Sequence, residues 1–125
     1  MRRITFLVVI TFINLSCQKD ESSPTAASRV IRYEVSGNYT GSLVASYTTA
    51  GGGTTNESVS SLPWSKEIKY NTSVAAAILA FSGNGGVAGQ QVTIIVKKGG
   101  SQISSTPAIA GSTGSFTITT PVVAF

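Results

Sequence analysis

At 125 residues, 42% of them hydrophobic and only 11% charged, the chain has room for one domain and not for two ordinary ones. Its formal net charge of +4 includes Arg2 and Arg3 at the extreme N-terminus. Without them seven basic residues face five acidic ones, scattered singly apart from Lys97-Lys98, which excludes a nucleic-acid-binding face. The absence of His and the single Cys exclude Ser-His-Asp and Cys-His catalysis and leave zinc without ligands.

Met1-Arg2-Arg3 is a short basic start, and residues 4–15 (ITFLVVITFINL) form an apolar run broken only by Thr5, Thr11 and Asn14. Twelve helical residues at about 1.5 Å each cover roughly 18 Å, well short of a hydrocarbon core of about 30 Å. The run therefore reads as an export signal rather than a membrane span. Ser16-Cys17 follows it directly. A lone thiol in an oxidising compartment invites pairing between molecules, and no second cysteine can close an internal disulfide. Cleavage before Cys17 and lipidation of its sulfur are expected. The chain then divides into a signal peptide (1–16), a lipidated tether (17–28) and a folded domain (29–125). Asn14 stands where a lipobox usually has Leu, with Leu15 one place later; the pattern resembles the relaxed lipoboxes of Bacteroidota-type lipoproteins. Lys19-Asp20-Glu21 resembles the short export signal that sends such lipoproteins to the outer face of the outer membrane, the other reading being a solvated start to a tether. Several acyl chains, at about 0.8 kcal/mol per buried methylene, anchor a protein in effect permanently. An outer-membrane lipoprotein, facing the periplasm or the cell surface, is the expected address.

Residues 18–28 (QKDESSPTAAS) are small and polar and have no hydrophobic period, as a flexible tether requires. Beyond them strand signals recur. Ile31, Tyr33 and Val35 alternate with Arg32 and Glu34, and Gly37-Asn38 supplies a turn. Leu43, Ala45 and Tyr47 alternate in the same way, Gly51-Gly52-Gly53 breaks the chain, and residues 57–60 follow. Leu62-Pro63-Trp64 leads into a strand through Ile68 and Tyr70, with Pro63 at its start or on an edge because it has no N–H to donate. Residues 74–81 (VAAAILAF) are continuously apolar; their length favours one buried strand, although the alanines favour helix. Residues 91–97 form the clearest strand and pair through Lys98-Gly99-Gly100 with residues 102–105. Phe116, Ile118 and Thr120 close the domain before Pro121 and a short apolar tail. Seven or eight antiparallel strands without a second domain predict an all-β fold, a single two-sheet β-sandwich of immunoglobulin-like type.

Chemistry is short of parts. The domain's acids are Glu34, Glu57 and Glu67, none of them in a hydrolase motif, and no Ser-x-x-Lys occurs. Calcium lacks an Asp/Asn-rich loop. Gly83-Asn84-Gly85-Gly86-Val87-Ala88 matches G-x-G-x-x-A, but another β-run follows it in place of the helix a pyrophosphate needs. The Asn-x-Ser/Thr triplets at Asn38, Asn56 and Asn71 are expected at random in so Ser/Thr-rich a chain. Trp64 has two readings: a core plug, as in small sandwiches, or an exposed ring stacking on a glycan or small ligand beside Tyr39, Tyr47 or Tyr70.

Tyr33-Glu34-Val35-Ser36-Gly37, Ala45-Ser46-Tyr47-Thr48-Thr49, Leu62-Pro63-Trp64-Ser65-Lys66, Ile94-Ile95-Val96 and Gly99-Gly100 occur in this order. Over residues 31–113 the chain resembles the MmpS family of small mycobacterial membrane proteins. The resemblance implies a β-sandwich outside the inner membrane and an accessory role beside transporters of the resistance-nodulation-division type, notably in siderophore export. Tyr33, Gly37, Tyr47, Leu62, Pro63 and Trp64 are its motif positions, read here as structural. Family members have a transmembrane helix and a cysteine pair in the domain; this chain has a lipidation site and no domain cysteine. The expectation is a non-enzymatic lipoprotein without cofactor or metal, an interaction or accessory module that meets the membrane through its lipid and an envelope protein or glycan through its domain. Transport accessory and glycan or small-ligand binder are the alternatives.

Overall fold

Alternation of apolar and polar residues with a period of two commits one face of each segment to burial, and in this chain two such sheets close on each other. The computed structural model describes residues 26–125. The expected signal peptide, Cys17, Lys19, Asp20 and Glu21 lie outside the described residues. A 3-10 turn, Ala26–Arg29, spans the expected boundary at residue 29 and feeds the first strand.

The strands are β1 (Val30–Gly37), β2 (Ser42–Thr48), β3 (Thr54–Val59), β4 (Trp64–Lys69), β5 (Ala76–Ala77), β6 (Leu79–Asn84), β7 (Gln91–Lys98), β8 (Ser101–Ile109), β9 (Phe116–Thr119) and β10 (Val123–Ala124). One sheet has the order β4-β1-β7-β8 and the other β3-β2-β6-β9, with every pairing antiparallel. The protein is thus an all-β, two-sheet sandwich. Its eight main strands are joined by a short β5–β10 ribbon that closes one end.

The core is the sum of the inward positions. Ile31, Tyr33 and Val35 of β1 and Val92, Ile94 and Val96 of β7 face Leu43, Ala45 and Tyr47 of β2 and Leu79 and Phe81 of β6. Each large side chain so buried contributes about 1.5–3 kcal/mol of hydrophobic stabilisation. Phe81, Phe116 and Tyr39 form an aromatic cluster, with Tyr39 edge-on to Phe116 at 4.8 Å. The β7–β8 hairpin turns on Gly99 and Gly100, both at positive φ, the backbone a two-residue hairpin loop needs.

Three expectations change in detail. Residues 74–81 are not one strand: β5 pairs with β10, whereas β6 pairs with β2 and β9 and runs on through Ser82, Gly83 and Asn84. Ile78 stands at the crossover, its carbonyl accepting from the Thr48 N–H at 3.1 Å and its own N–H donating to Thr48 Oγ1 at 3.1 Å. Gly83 is a strand residue and not a turn because it pairs with Leu43 and Phe116, and it is glycine because the Tyr39 and Phe116 rings lie where a Cβ would be. Finally, β8 extends to Ile109 through Pro107, which an edge strand tolerates because one of its sides has no neighbour to receive N–H groups.

Candidate interaction site around Trp64

The β1 register brings together segments far apart in sequence. Tyr33, Glu34 and Val35 pair with Lys66, Ser65 and Trp64 of β4 on one side, and with Val96, Ile95 and Ile94 of β7 on the other. Strand alternation then sorts them. Tyr33, Val35 and Ile94 enter the core, while Glu34, Ser65 and Ile95 share the outer face with Arg32 and Ser36. At the start of β4 the chain rises through a cis Leu62-Pro63 bond. The exposed Pro63 and Ser36 and the half-buried Trp64, Glu34, Arg32 and Ile95 line a groove of about 320 Å³.

Trp64 is half-buried, its ring 5.9 Å from Phe81 and 6.5 Å from Tyr47 between centroids. It is a rim residue of the core, intermediate between the two sequence readings. The three tyrosines proposed as its glycan-binding companions are buried and make no open platform with it. Tyr39 donates to the Gly114 carbonyl at 2.6 Å, Tyr47 donates to Glu57 Oε2 at 2.8 Å, and Tyr70 donates to the Thr48 carbonyl at 2.6 Å.

The other motif residues occupy structural positions. Leu62 packs half-buried on the core. Gly37 has φ 146°, and a Cβ there would collide with the Gln91 carbonyl of β7, so only glycine lets β1 and β7 close at this end. Tyr33 is fully buried, and its hydroxyl makes no well-formed hydrogen bond; beside it the Tyr70 hydroxyl donates to the Thr48 carbonyl. Burial pushes the Tyr33 phenol above its ordinary pKa, with Tyr70 partly opposing the shift. Burial, and then the bond to Glu57, push Tyr47 upward. Lys66, whose ammonium lies 5.8 Å from the Tyr47 ring centroid and 3.6 Å from Glu57, is also raised, first by Tyr47.

On the groove floor Glu34 Oε1 accepts from Arg32 Nε at 2.9 Å and from Lys97 Nζ at 3.1 Å, while Arg32 also reaches Ser65 Oγ at 3.3 Å. These bonds, Arg32's first and Lys97's second, hold the Glu34 carboxyl below the usual carboxylate range. Sequence reasoning did not single out Arg32, Ser65 or Ile95 as groove residues, nor Lys97 as the partner of Glu34. The available signal was the polar phase of the β1 and β7 alternation, but their adjacency depends on register. Among the described residues no group of three His, Cys, Asp or Glu is placed to hold a metal ion, and no helix is long and apolar enough to cross a membrane.

No protein-family profile matches the chain, and no curated protein matches it in sequence.

Proposed function

We propose that this chain is an outer-membrane lipoprotein, acylated on Cys17, whose sandwich serves as a non-enzymatic interaction module and receives an envelope protein in the groove beside Trp64. One observation carries the interaction reading. Three separated sequence motifs meet on adjacent strands β4, β1 and β7 and line one groove, which sets the Arg32–Glu34 ion pair beside Pro63 and Trp64. Proline and tryptophan beside fixed charges suit a partner's extended segment, since a preorganised apolar wall contributes affinity and an oriented ion cluster contributes register. The Trp64 ring already packs toward Tyr47 and Phe81, which favours a protein partner over a stacked glycan.

A second reading, accessory to a transporter in the manner of MmpS proteins, draws support from the same convergence, because the residues that carry the resemblance are the ones that meet. It differs in the identity of the partner.

The test uses a photoreactive side chain at exposed Ser65 and, as a control, at Thr117 on the outer face of the opposite sheet. The proposal expects one cross-linked envelope protein of defined mass from position 65, none from 117, and loss of the product in a Cys17→Ala background that releases the domain from the membrane. A transporter subunit in the product selects the second reading. Equal cross-linking from both positions, or polysaccharide in place of protein, contradicts the groove as a protein-docking site.

A further inference from the structure

The charges of the domain are arranged by height. Among the described residues six cations, Arg29, Arg32, Lys66, Lys69, Lys97 and Lys98, outnumber three acids, Glu34, Glu57 and Glu67, a net charge of +3. The middle of the molecule is compensated. Arg32 and Lys97 hold Glu34, Lys66 lies by Glu57, and Glu67 is the cross-strand partner of Arg32. The whole excess therefore falls on Arg29, Lys69 and Lys98, none of which pairs with a carboxylate among the described residues.

These three occupy one end. Lys69 is opposite Val30 on β4, Lys98 is opposite Ile31 on β7, and Arg29 directly precedes β1. Arg29 and Lys98 lie 5.1 and 5.4 Å from the Phe125 ring centroid; Arg29 donates to the Asn71 and Val74 carbonyls and Lys98 to that of Ala124. The half-buried Phe125 and the exposed Val122 and Ala124 add apolar surface to the same closing ribbon. Cations surrounding a small apolar spot are the chemistry of an anionic lipid interface. The outward positions of the opposite sheet, from Ser42 and Ser46 to Thr117 and Thr119, carry no charge, so the domain's field is one-ended.

We infer that the Arg29–Lys69–Lys98 end is a docking surface for the anionic headgroups of the membrane that holds the anchor, and that it seats the domain upright with the Trp64 groove turned away from the lipid. The inference rests on the reading of Cys17 as the anchor. Eleven residues, 18–28, separate Cys17 from Arg29, and at random-coil dimensions a chain of that length would have a root-mean-square span of about 20 Å. The basic end is therefore kept within a few screening lengths of the headgroups, the Debye length being about 8 Å at physiological salt. Asp20 and Glu21 in the tether are the competing occupants of the same cations.

The experiment bypasses cellular acylation. Every core residue lies within residues 31–123, so the mature chain from Cys17 retains the sandwich, and its sole thiol can be coupled to a maleimide lipid. Vesicles of phosphatidylcholine alone are compared with vesicles of phosphatidylcholine and phosphatidylglycerol, and lysines are footprinted with an amine-acylating reagent read by mass spectrometry. The expected result is modification about fivefold slower at Lys69 and Lys98 on the anionic vesicles, as one favourable lipid contact per cation implies. Lys66 serves as the unchanged internal reference, and the protection disappears at high salt. Equal rates on the two vesicles overturn the proposal. So does protection on both that is released by Asp20→Asn with Glu21→Gln, which assigns the cations to the tether. Because the coupling is chemical, neither result bears on whether the cell acylates Cys17.

Discussion

Tyr33 is the least conventional residue of the core. A fully buried phenol without a well-formed hydrogen bond has lost its water, and the neighbouring Tyr70 hydroxyl compensates it only in part. Its ring, by contrast, is well used between the sheets. Tyr33→Phe keeps the ring and removes the unsatisfied oxygen, so it should raise unfolding free energy by about 1 kcal/mol in a denaturant titration. A loss of similar size would mean that the hydroxyl has a partner. Gly37 is constrained for a different reason, because backbone from β7 fills the place of its Cβ. Both are motif positions, and both are accounted for by packing without any appeal to ligand binding.

At the scale of the strands the groove depends on cross-strand electrostatics. Glu34 of β1 receives Arg32 from its own strand and Lys97 from β7, and Arg32 also reaches Ser65 of β4, so three strands are tied at one height. Because the folded carboxyl is held below its ordinary value, these contacts stabilise the fold in full above the unfolded pKa, and the contribution is lost as pH falls through the folded one. Carboxyl carbon NMR of Glu34 should therefore give a midpoint below the ordinary glutamate range. Lys97→Gln should move it upward and Arg32→Gln should move it further. Midpoints that do not respond to either substitution would contradict the triad. The strands themselves were legible where alternation was strong, in β1, β2 and β7. Legibility failed at residues 74–81, because a wholly apolar run has no polar phase and its division between β5 and β6 is decided by β10, over forty residues away. It failed again in β8, whose Ser/Thr run has no hydrophobic alternation and is ordered by pairing with β7. For the site, the motif residues were legible individually, but their meeting was not, since adjacency comes from register between β1, β4 and β7.

The described residues divide into a basic end where the chain enters, a compensated middle that holds the groove, and a second sheet whose outward positions are uncharged. On the proposed reading, an anchor at Cys17 would make the basic end the foot of the domain and the groove its face. The most direct test is mass spectrometry of the N-terminal peptide of protein isolated from membranes. The account predicts a peptide beginning at Cys17, heavier by a diacylglyceryl group and amino-terminal acylation, and absent from cells treated with an inhibitor of the lipoprotein signal peptidase. A peptide that runs uncut across Ser16-Cys17, or one with an unmodified Cys17 thiol, would contradict it.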